Sequence, residues 1–75
     1  MNVNLKNLGA NKTELHKDGG TVVFYSYETP VAACVDGIKY VRTDRKYSVT
    51  TSKHINQWLD GVEAETVTQS YINTL

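Results

Sequence analysis

The 75-residue sequence is short of several things: it has one cysteine, one proline, one tryptophan and no excess of charge of either sign. Its lone thiol, Cys34, has no internal disulfide partner, and no Cys/His cluster has zinc-ligand spacing. A reducing, cytoplasmic compartment is therefore expected. No apolar run approaches the ~20 residues that span a bilayer. The opening Met-Asn-Val-Asn-Leu-Lys lacks the apolar centre of a signal peptide. No membrane association is expected. A phosphate-binding glycine loop, HExxH and GxSxG are all missing. The sequence thus offers no catalytic residue, no metal site and no cofactor, and the expectation is a protein that is not an enzyme. Cys34 lies between Ala33 and Val35 and reads as a small buried hydrophobe. Its pairing with His54 as a nucleophile would need an orienting group and an oxyanion site as well.

What is present reads as one globular domain over residues 1–75. Apolar residues make up 40% and charged residues 21%, proportions that favour a folded chain over a disordered one. A chain this short buries only roughly 60% of its unfolded surface, so its core is small. A homodimer is one way to cover more. Residues 1–11 read as a loose arm or an edge strand.

Strands come first. Residues 12–17 alternate in a way that suits a charged sheet edge. Asp18-Gly19-Gly20 is a hairpin signal, because these residues accept positive φ. Residues 21–28 are rich in β-branched and aromatic side chains and form the best strand, with both faces partly covered. Thr29-Pro30 breaks it. Residues 31–35 make a small-residue strand, with room for Trp58 above Ala32, Ala33 and Cys34. Asp36-Gly37 is a second turn, residues 38–43 a further strand, and residues 47–49 a short final pairing.

Helices follow. Thr50 or Thr51 can cap a helix over about residues 52–60. Ile55, Trp58, Leu59 and Val62 share one face of it, and Gly61 suits its left-handed end. Thr66 and Gln69 have capping-box spacing. Val67, Tyr71, Ile72 and Leu75 form the apolar face of the second helix. The order gives an α+β fold: a small antiparallel sheet of three to five strands, then two short C-terminal helices packed on one face.

Zero net charge hides an asymmetry. Residues 39–53 hold Lys39, Arg42, Arg45, Lys46 and Lys53 against Asp44, or 5 − 1 = +4. Such a segment attracts an acidic protein surface or phosphates. Tyr40 and Tyr47 flank it in sequence, and a basic patch with aromatic rings also suits nucleic acid. His54 lies four residues before Trp58, where the two rings can stack. The candidate binding residues are therefore Tyr40, Arg42, Arg45, Lys46, Tyr47, Lys53 and His54.

Three segments carry a resemblance: Phe24-Tyr-Ser-Tyr-Glu-Thr-Pro-Val-Ala-Ala33, Tyr40-Val-Arg-Thr43, and Thr50-Thr-Ser-Lys-His-Ile-Asn-Gln-Trp-Leu59. Together they resemble a family of small proteins carried by bacteriophages and other mobile elements of bacteria. The resemblance covers about residues 14–75 and implies an intracellular accessory protein, with no activity and no catalytic residues attached. The expected function is binding of a host protein, with inhibition of a host defence system as one consequence. Nucleic-acid binding through residues 39–53 is the alternative.

Overall fold

The computed structural model describes residues 4–75. Its order is β1 (Asn4–Gly9), β2 (Lys12–His16), β3 (Val22–Ser26), β4 (Thr29–Val35), β5 (Lys39–Thr43), α1 (Val49–Leu59), β6 (Glu65–Val67) and α2 (Gln69–Asn73). The strands form one sheet in the order β1-β2-β3-β4-β5-β6. Every pairing is antiparallel except β5 with β6, which is parallel.

The α+β class is as expected, and three of its details are corrected. The sheet has six strands rather than three to five. Of the two expectations for residues 1–11, the edge strand is the one seen: they supply β1 at the sheet edge, with residues 1–3 outside the described residues. Residues 12–17 are not the edge: β2 lies between β1 and β3.

The third correction concerns the helices, which do not share a face. Side chains alternate across a strand, so Ala32 and Ala33 point to opposite sides. Ala32 joins Phe24, Val31, Ile55 and Leu59 in one buried cluster, with Trp58 against it. Ala33 joins Val23 and Val41 in a second, which Val67 and Leu75 cover. Thus α1 closes one face and the α2 end closes the other. Phe24 is 0% exposed at the centre of the first cluster; burying a ring of that kind contributes roughly 1.5–3 kcal/mol.

Turn chemistry explains most of the connections. Gly19 and Gly20 take φ of 84°, and Asp36 and Gly37 take 55° and 75°, as the two Asp-Gly signals require. Pro30 does not end the pairing. Ser26 faces Thr29 across a tight turn, and Pro30 lies inside β4 opposite Tyr25, where a register shift forms a bulge. Tyr27, expected within a strand, sits in that turn with φ 58°.

The helix starts also differ. Ser48 is the α1 cap, its Oγ accepting from the Thr51 amide at 3.1 Å. Thr51 instead points inward, and Val49 begins the helix rather than ending a strand. The expected capping box at Thr66 and Gln69 is replaced by β6, and Thr68 caps α2.

Candidate functional site

The expected binding residues divide into three groups. Arg45, Lys46 and Tyr47 lie exposed in the loop between β5 and α1. Two hydrogen bonds fix the start of that loop: the Arg45 amide donates to Thr43 Oγ1 at 3.1 Å, and the Asp44 amide to the Val67 carbonyl at 2.8 Å. Lys53 is exposed on α1, four residues after Val49 and on the same helical side. Tyr47 is 42% and Val49 73% exposed. Two large apolar side chains therefore stand open beside three cations.

Arg42 borders this corner. It projects from the β5 face that α1 covers, and its guanidinium donates to Asn56 Oδ1 at 3.3 Å. Lys39 is on the opposite face of β5, in an ion pair with Glu65 at 2.6 Å. The hydrogen bond to Glu65, then its charge, raises the Lys39 pKa. Without Lys39, the corner holds Arg42, Arg45, Lys46 and Lys53 against Asp44, or 4 − 1 = +3.

Two expected residues lie elsewhere. His54 turns to the other flank of α1, its Nδ1 2.8 Å from Ser26 Oγ and its ring 6.0 Å from Tyr27. It does not stack on Trp58, whose ring lies 5.1 Å from Phe24 at 12°. Tyr40 is half-buried, with its ring edge-on to Trp58 at 6.0 Å. A hydrogen bond with Cys34, then that thiol's charge, burial and the Glu14 charge, push the Tyr40 hydroxyl above its ordinary pKa. Cys34 is 7% exposed and faces Tyr40, while His54 is held by Ser26.

A second grouping was not legible as a site. Trp58 Nε1 donates to Glu14 Oε2 at 2.5 Å, and His16 Nε2 lies 2.8 Å from Glu14 Oε1. Burial raises the Glu14 pKa, but the hydrogen bonds from Trp58 and His16, with the charges of His16 and Lys6, outweigh it and lower the net value. Two signals pointed here. Lys12, Glu14 and His16 alternate onto one face of a strand, and a buried indole N–H needs an acceptor. Among the described residues, no three His, Cys, Asp or Glu side chains converge to hold a metal ion. Nor is any helix among them long and apolar enough to cross a membrane.

Residues 3–74 match a family described as Family of unknown function (DUF8033). The chain belongs to that family. No curated protein and no solved structure matches it. Membership covers nearly the whole chain, so the fold above is that of a family domain rather than of an appended segment.

Proposed function

We propose that this member of the DUF8033 family is a non-enzymatic binding module, carried by a phage or other mobile element, that docks an acidic surface of a host protein. Interference with a host defence system is the consequence we propose for that docking. Its working surface is the corner made by Arg45, Lys46, Tyr47, Val49 and Lys53, with Arg42 at the border. One observation carries this reading: Tyr47 and Val49 are exposed at 42% and 73% among cations that make no ion pair among the described residues. Tyrosine and arginine are the side chains that most often anchor protein interfaces. Helix α1 supplies a rigid mount, since Ile55 and Leu59 bury its inner face.

Nucleic acid fits the geometry less well. Binding along a strand would draw on stacked rings as well as cations, and Tyr40 is engaged by Trp58 and Cys34. Tyr47 is left as the one open ring of the pair. The test is capture from nuclease-treated host lysate by the wild-type chain and by an Arg45→Glu/Tyr47→Ala variant of equal melting temperature. We expect a protein retained by the wild type and reduced at least tenfold by the variant. Equal capture by both chains contradicts the reading. Binding that disappears with nuclease, and falls steeply with salt, replaces it with the nucleic-acid alternative.

A further inference from the structure

Helix α1 leaves part of its sheet face uncovered, and there the side chains form a concavity of about 340 Å³. Glu14 and His16 of β2, Val22 of β3, Cys34 of β4, Tyr40 of β5 and Trp58 of α1 line it. None of the residues lining it is lysine or arginine. Its one carboxylate is that of Glu14, whose side chain is 17% exposed; the His16 imidazole beside it offsets that charge only when protonated. That carboxylate uses one oxygen for the Trp58 N–H and the other for His16. A carboxylate has about four lone-pair positions, so two contacts leave room for further donors. Two aromatic rings, Trp58 and Tyr40, stand beside it in edge contact.

We propose that this concavity binds a small organic cation, an alkylammonium or guanidinium group, by charge to Glu14 and by contact with the Trp58 and Tyr40 rings. A cation near an aromatic ring is attracted by the ring quadrupole, and more strongly when water is partly excluded. A nearby carboxylate adds the charge. Anions are disfavoured for the same reason. Besides His16, already a partner of Glu14 at 2.8 Å, the basic residue facing Glu14 is Lys6, across the β1–β2 pairing. It makes no ion pair with Glu14 among the described residues and does not line the concavity. The site is separate from the basic corner, so either reading can fail without the other.

The experiment uses the emission of Trp58, the single tryptophan, whose N–H touches Glu14. Butylammonium and methylguanidinium are titrated against the wild-type chain, with butanol as the uncharged control. We expect saturable changes with both cations, none with butanol, and affinity at least tenfold weaker in Glu14→Gln. Equal responses to butylammonium and butanol, or unchanged affinity in Glu14→Gln, overturn the proposal. If Glu14→Gln does not fold, the Trp58 indole N–H resonance of the wild-type chain decides: a shift with butylammonium and none with butanol supports the site, and equal shifts overturn it. A capped arginine tripeptide separates the sources. Binding at least tenfold tighter than methylguanidinium identifies a partner's side chain as the ligand, and comparable binding identifies a free small cation.

Discussion

Replacing Trp58 by alanine removes three things at once. It takes away a ring stacked on Phe24 at 5.1 Å, an edge contact with Tyr40 at 6.0 Å, and the N–H that Glu14 accepts at 2.5 Å. Truncating a buried aromatic residue to alanine costs about 3–5 kcal/mol. Trp58 is half-buried, so the low end applies, about 3 kcal/mol. Stability of about 0.05–0.15 kcal/mol per residue gives a chain of 75 residues about 4–11 kcal/mol in all. The loss is thus a large share of the total. At about 4–8 °C per kcal/mol for a domain of this size, the melting temperature should fall by about 12–24 °C. Trp58→Phe keeps a stacked ring and loses the hydrogen bond to a charged acceptor, so it should cost about 1.5 kcal/mol. Far-UV circular dichroism is the suitable assay, because the alanine variant has no tryptophan to report by fluorescence. A Trp58→Ala melting temperature within about 4 °C of wild type would refute the view that the indole ties α1 to the sheet. So would equal losses in the phenylalanine and alanine variants.

Three further outcomes follow from the same contacts. Glu14 binds its proton more weakly in the folded chain than in the unfolded one, so its contribution is full above the ordinary carboxylate range and is lost as pH falls through its folded-state value; in melts from pH 7 to pH 3, the gap between wild type and Glu14→Gln should therefore close toward acid, and a gap that widens would contradict it. Ser48→Ala removes the α1 cap and should cost about 1 kcal/mol, or about 4–8 °C in melting temperature; a larger loss from Thr50→Ala would mean the cap is misassigned. Lys39 and Glu65 are both more than half exposed, so Glu65→Gln should change stability by less than about 0.5 kcal/mol in urea unfolding.

The parts of the fold that were legible are those coded over a few adjacent residues. Asp18-Gly19-Gly20 and Asp36-Gly37 marked turns because positive φ is a local demand. Ile55 and Leu59 marked α1 because a 3.6-residue period has one reading. The start of α1 was misplaced because Ser48, Thr50 and Thr51 all carry capping oxygens. Tertiary structure chooses among them: Thr51 is 6% exposed and accepts from Ser26 Oγ at 3.2 Å, leaving Ser48 to cap. Strand β6 was not legible, since its three residues pair with β5 across the whole of α1. The spacing of Thr66 and Gln69 imitated a capping box. Gln69 is in fact 8% exposed and donates to the Pro30 carbonyl at 2.7 Å, a contact made only once α2 docks.

At the candidate site, side-chain types were legible and directions were not. Arg45, Lys46, Tyr47 and Lys53 lie on an open corner, as a charged turn before a helix should. Tyr40 and His54 are drawn off it by Trp58 and Ser26, partners distant in sequence. Glu14 gains its place from Trp58, 44 residues away. No local pattern encodes such a pair. The alternation of Ala32 and Ala33, each able to floor a helix, likewise left open which face α2 would take.

Amide hydrogen exchange on the chain alone, and on the chain bound to the captured host protein, tests the proposed surface most directly. We expect new protection concentrated at residues 45–53, across the β5–α1 loop and the first turns of α1. Protection confined to β1 or α2, with residues 45–53 exchanging as in the free chain, would contradict it.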